Sequence, residues 1–371
     1  MTTLDPNRLA DPNSAESIVM DRADLDSLIH EINLNSEVLM TWDYTRSRPA
    51  LHKLYEKAKT SQWNATTDLD WDTEVDMERI GPEMAAAASR FENLKDLPDS
   101  PISHWGPKEE ADLAREMQTW SMSQFLHGEQ GALVCTGLIT CTVPWIDAKY
   151  YAATQVMDEA RHVEVFARYV DEKLGGAYPI SPQLGGLLDN IVSDGRWDIT
   201  YLGMQIMVEG LALAAFGFLH MLTEEPLLKK LLRYVMSDEA RHVAFGVLSL
   251  KEFYAGLDQA EIRERQEFAY EAALLLRNRF FAQDVWEKLG VDPKTIIAFM
   301  QEHEPPGAQV FQSMLFSKIV PNVKKLGLLD AGDGWLREKF TEIGIIQFED
   351  WIDTAEEYSS LDAVAADREA G

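Results

Sequence analysis

Hydrophobic and polar positions along this chain repeat with a helical period, and alternating β-branched runs bounded by turn residues are scarce. Gly106-Pro107 followed by KEEADLAREMQTW predicts a helix start, with proline at the first position and acids in the first turn. That helix is expected to reach about Cys141, before a break at Val143-Pro144. A second spans about 147–174 and stops at Gly175-Gly176. A short helix over 183–193 and a break near Asp194-Gly195 precede a long one over 197–222. The run Thr223-Glu224-Glu225-Pro226 reads as a turn and a new start, with Thr223 as cap, and the next helix continues to about Tyr254. Beyond it the pattern predicts helices over 259–288, 293–303, 308–325 and 333–342. Residues 60–76 read as loop, and the tail over 356–371 as frayed. The expectation is an all-α chain forming one domain over 1–371. Its core covers about 107–256, with a peripheral segment over 1–106 and further helices over 257–352.

Composition narrows the function. The chain has 371 residues, 46% of them hydrophobic, enough for a sizeable core. Lys plus Arg total 34 against 62 Asp plus Glu, and the net charge of −28 argues against nucleic acid or an anionic membrane as partner. Cys135 and Cys141 stand six residues apart on different helix faces, so no disulfide framework is expected and a reducing, cytoplasmic setting is. The N-terminus lacks a basic region followed by an apolar run, so no signal peptide is expected. Residues 202–222 are apolar enough to suggest a membrane span, but Glu209 sits in their middle, which favours the buried centre of a soluble bundle.

The chemistry lies in an internal repeat. Residues 158–163 and 238–243 both read DEARHV, giving Glu159-x-x-His162 and Glu239-x-x-His242. Positions i and i+3 share a helix face, so each pair can grip one metal or bridge to a second. One such pair is common on solvated helices; two identical hexapeptides are not. Glu129 and Glu209 each precede the Glu of a pair by thirty residues, within apolar runs where an unpaired carboxylate is costly. Each thirty-residue interval is centred on a predicted turn, at positions 144 and 224. In two antiparallel hairpins the ligand positions therefore reach one height, roughly 20 Å from the turns. Four carboxylates and two imidazoles would meet there, the ligand set of di-iron and di-manganese carboxylate bundles. Four glutamates balance two divalent cations, and the donors suit iron or manganese. Asp158, Arg161, Asp238 and Arg241 complete the repeat, the aspartates as acceptors for the histidines' other ring N–H and the arginines as their partners.

These residues resemble the ferritin-like di-iron oxygenases: bacterial multicomponent monooxygenase hydroxylases, acyl-carrier-protein desaturases, CoA-ester epoxidases, arylamine N-oxygenases and the ribonucleotide reductase small subunit. The resemblance covers about 107–256. It implies a ferritin-like four-helix bundle core with additional N- and C-terminal helices. It implies two iron ions, with manganese or a mixed manganese–iron pair as alternatives, and O₂ as co-substrate. Three departures narrow the branch. Phe166 stands where the reductase subunit carries its radical tyrosine. Val235 stands where arylamine N-oxygenases have an extra histidine. Ala212 and Leu213 stand where hydroxylases and desaturases place a threonine.

Small residues beside Glu129 and Glu209 leave room for a substrate, with Phe125, Ala132, Gln155, Phe166, Gln205 and Leu213 as pocket candidates. His127 and His220 are expected to be structural. The favoured function is O₂-activating oxidation of a small organic, aromatic or CoA-linked, substrate. The alternatives are iron oxidation, peroxide reduction, or a radical-cofactor subunit of a larger enzyme. No flavin, nicotinamide or iron–sulfur motif is present, so a reductase or ferredoxin partner is implied, and a homodimer is the default expectation for such bundles.

Overall fold

The structure is a computed structural model that describes residues 29–34, 36–76, 94–278, 281–303 and 314–357, with no strand among them. The helices are α1 (Pro49–Thr60), α2 (Pro107–Thr142), α3 (Ile146–Leu174), α4 (Pro182–Ser193), α5 (Trp197–Leu222) and α6 (Pro226–Tyr254). The shorter α7 (Gln259–Asn278), α8 (Gln283–Lys288), α9 (Pro293–Glu302), α10 (Ile319–Lys325) and α11 (Trp335–Glu342) come after them. Helices α2 and α3 form one hairpin and α5 and α6 another. The hairpins join through α3 against α6 and α2 against the first half of α5. This is a four-helix core of the ferritin-like kind. Helix α1 lies across α3 and α6, and α7 covers the start of α5.

Local chemistry sets the ends of these helices. The Glu109 carboxylate accepts from the Gly106 N–H at 2.9 Å and opens α2. Gly175, at φ +76°, closes α3 in a conformation that favours glycine. The cap of α6 differs from expectation. The Glu225 carboxylate accepts from the N–H groups of Leu227 and Leu228 at 2.7 and 2.6 Å, while Thr223 ends α5 and its hydroxyl accepts from the Glu225 N–H. Pro226 takes the first helical position, so the residue before it becomes the cap.

Two more expectations change. The single helix expected over 259–288 divides into α7 and α8, because Ala282 adopts φ +49°. The turn lets the Trp286 indole donate to the Phe281 carbonyl and bury against Trp105. Of the helix expected over 308–325, residues 308–313 lie outside the described ones; a 3₁₀ turn over Leu315–Ser317 and then α10 occupy the rest. The expected frayed tail lies mostly outside the described residues.

Helix α5 holds a feature that periodicity did not suggest. Leu202–Val208 are π-helical, and the Glu209 N–H bonds back to the Met204 carbonyl. Each extra residue rotates the first part of the helix by roughly 100° relative to the second. Glu209 can therefore face inward while Trp197 and Tyr201 keep their own packing. The bulge presses on α6 at Gly246, where a Cβ would lie 2.7 Å from Cβ of Gln205. The apolar length of α5 is taken up by this packing, with 72% of its most apolar stretch buried.

Candidate metal centre

The hairpins bring all six predicted ligands into one buried cluster. Glu129, Glu159, His162 and Glu239 offer donor atoms within 4.8 Å of one another, and Glu159, Glu209 and His242 form a second such group. Glu159 belongs to both, so the cluster has two adjoining positions with a bridging carboxylate. Glu239 also borders both, approaching Nδ1 of His162 at 3.1 Å and Nδ1 of His242 at 3.6 Å.

The imidazoles are oriented from behind. Nε2–H of His162 donates to Oδ2 of Asp238 at 3.2 Å, and Nε2–H of His242 donates to Oδ2 of Asp158 at 3.3 Å. Each histidine thus leans on the aspartate of the other repeat. Arg161 bonds Asp158 and reaches Asp238 at 3.1 Å; Arg241 bonds Asp238 and reaches Asp158 at 3.3 Å. With Nε2–H so engaged, a neutral ring points a lone pair from Nδ1 at carboxylates. That arrangement is repulsive unless a proton or a metal cation lies between them.

The donor set fits metal ions on a second ground. Glu159 Oε2, Glu209 Oε2, both oxygens of Glu239 and Nδ1 of His242 are buried without a hydrogen-bond partner. Charge tells the same story. Burial, with Glu239 beside it, pushes the Glu129 carboxyl up to about 8. Burial and the carboxylates of Glu159 and Glu239 raise Glu209 well above the usual range. Burial opposes ionisation of Glu159 too, but His242 and His162 hold it below the ordinary value. Burial works against charge on the histidines, yet their carboxylate neighbours raise both. The metal-free cluster therefore retains protons that a divalent cation would displace.

Sequence reasoning missed two residues, both in the segment read only as loop. Trp63 Nε1–H donates to Oδ2 of Asp238 at 2.7 Å, and its ring stacks on Tyr234 with centroids 5.0 Å apart. Gln62 donates to Asp158 at 3.1 Å and accepts from Arg161 at 2.8 Å. An aromatic and an amide in a polar loop carry no periodic signal. Only the packing of α1 brings them to the aspartates.

The six pocket candidates separate. Phe125 and Ala132 border a cavity of about 20 Å³ beside Glu129, Glu209 and Glu239, also lined by Gly128, Val208 and Ala212. Gln155 donates to Glu159 and Glu209 at 2.9 and 3.0 Å and ties the two positions together. Phe166 packs on Phe125 and Phe216, as a core aromatic. Gln205 sits in the π segment against Gly246. Leu213 turns away from the cluster, to a groove it shares with Gly217, Met236 and Trp351. His127 stays outside the cluster, where its Nε2–H donates to the Tyr178 carbonyl at 2.8 Å.

The fold and its donors define a ferritin-like carboxylate bundle built for two metal ions. No family profile matches the sequence, and no curated protein matches it. Among solved structures the chain is similar to an R2-like ligand-binding oxidase with aerobically reconstituted Mn/Fe cofactor, at 16% identity and TM-score 0.44, covering 77% of this chain and 92% of that one. A mutant of an R2-like ligand-binding oxidase, also with aerobically reconstituted Mn/Fe cofactor, gives 16% identity and TM-score 0.46 over 77% and 93%. The likeness is distant, and the case for the metal centre rests on this chain's own residues.

Proposed function

We propose that this chain is an O₂-consuming dimetal oxidoreductase, with two irons or a manganese–iron pair held by Glu129, Glu159, His162, Glu209, Glu239 and His242. One observation carries the reading: two buried donor groups share Glu159, and Glu159 Oε2, Glu209 Oε2, both Glu239 oxygens and His242 Nδ1 have no hydrogen-bond partner. When bound, such metals supply electrons to O₂ and stabilise the charge that develops on it. The protein's part is to fix the donors and keep bulk water out. Gln155 holds one oxygen of Glu159 and one of Glu209. The aspartate–arginine network fixes both imidazole planes.

The cavity beside the carboxylates is about 20 Å³, room for a molecule the size of water or O₂. In the oxygenase form of this proposal, a small organic substrate approaches it between α2 and α5, on the side lined by the small residues Gly128, Ala132 and Ala212. A reductase or ferredoxin supplies electrons. A homodimer in the cytoplasm belongs to the same proposal.

The test is anaerobic loading with ferrous iron, alone and with manganese, and then metal analysis and O₂ uptake. Close to two metals per chain and O₂ consumption, both lost in Glu209→Ala, are expected. A chain that binds no stoichiometric metal would sink the reading.

A further inference from the structure

Behind the second metal position lies a run of aromatic rings that the ligand geometry does not need. Tyr151 stands two turns before Glu159 on α3, with Gln155 between them on the same face. Its hydroxyl lies within electrostatic range of His242 and Arg241. From Tyr151 the rings continue without a gap. Phe245, one turn after His242, is 4.3 Å from Tyr151 between centroids, and Tyr201 is 5.0 Å from Phe245. Trp197 comes next at 5.6 Å and Trp145 at 5.1 Å. Tyr151, Tyr201 and Phe245 are fully buried. Trp197 and Trp145 are half-buried, and the Arg48 guanidinium covers Trp145 at the α2–α3 turn. The run thus passes from the buried metal ligands to rings that reach solvent.

Core packing alone would be served as well by leucine or phenylalanine. Instead, four of the five rings are tyrosine or tryptophan, the side chains most readily oxidised by one electron. They form one line, with one end at the metal ligands and the other at solvent. We infer that Tyr151, Tyr201, Trp197 and Trp145 form a conduit that carries single electrons between the metal centre and the surface at the α2–α3 turn, with Phe245 packed between Tyr151 and Tyr201 as a spacer that electrons cross without resting on it. This rests on the proposed redox function of that centre. In each passage an outside one-electron donor, of the reduced iron–sulfur or flavin-protein class, loses one electron and the oxidised metal centre gains one. No bond is made or broken, and each ring ends with the electron and the proton it began with.

Cys141, exposed beside this turn, allows a test that needs neither O₂ nor substrate. A ruthenium polypyridyl photo-oxidant is attached there on the full chain loaded anaerobically with ferrous iron. A flash with a sacrificial electron acceptor creates the oxidant, and electron paramagnetic resonance tracks where the hole goes. The expected result is a mixed-valence iron signal, formed at least tenfold more slowly in Tyr201→Phe and Trp197→Phe, which keep the ring but are harder to oxidise. Equal rates in the parent and both variants would overturn the conduit, as would failure of the hole to leave the label. If the chain held no metal, the hole would stop on Tyr151 or Tyr201 as a phenoxyl radical. The conduit is thus tested separately from the metal centre.

Discussion

At the scale of single residues, the centre depends on groups that do not touch metal as much as on those that do. Glu129→Ala should lose metal at one or both positions. His162→Ala should do so without unfolding, with circular dichroism checking the helices and mass spectrometry the metal. Trp63→Phe keeps the stack on Tyr234 but removes the 2.7 Å donor to Asp238. Loss of such an outer partner costs roughly tenfold or more in metal affinity. Unchanged competition against a chelator would show Trp63 to be packing only. The pH dependence comes from the raised groups. Glu129 titrates near 8 in the folded, metal-free chain against an ordinary 4.5, so its contribution to stability is complete below pH 4.5 and is lost as pH rises towards 8. Metal-free protein should therefore melt at lower temperature at pH 8 than at pH 5.5, and saturating metal should reverse the trend. The six ligands could be read from sequence because repetition and thirty-residue spacing leave a pattern in one dimension. Gln62 and Trp63 could not, since their role exists only through a contact made 96 and 175 residues away.

At the scale of elements, the bounds of α2, α3, α5 and α6 were legible from proline, glycine and apolar period. What was hidden is irregularity inside an element. The π segment in α5 has no signature in LGMQIMV, whose residues suit α- and π-helix alike. It arises instead from a competition between Glu209 facing the metals and Tyr201 facing Phe245. The division of α7 from α8 was hidden for a similar reason, since alanine at φ +49° is the opposite of its own preference. Deleting Met204 should restore a regular helix and turn one half of α5 against the other. The expected result is retained helical content with the second metal position lost. Gly246→Ala places a methyl 2.7 Å from Cβ of Gln205, and should destabilise by about 1–3 kcal/mol. A denaturation midpoint equal to that of the parent would show that the bulge gives way freely.

At the scale of the whole molecule, an acidic chain buries a cluster of carboxylates and sets a few cations against those it does not leave for the metals. Arg161 and Arg241 are held by the aspartates, and Arg265 by the buried Asp198 where α7 covers α5. Helix α1 and the loop after it act as a cover for the outer faces of α3 and α6. Their residues carry no hint of it, because the chemistry of a cover is only that of whatever it touches. The crossed pairing of histidines and aspartates has a further consequence, in the order of synthesis. His162 leaves the ribosome with Glu129 and Glu159 already made, but the aspartate that aims its ring emerges 76 residues later. His242 looks back in the other direction, to an aspartate finished long before it. The first hairpin to emerge therefore presents His162 before the acceptor that aims its ring has been made. The aim of both imidazoles is complete only when α6 has docked on α3.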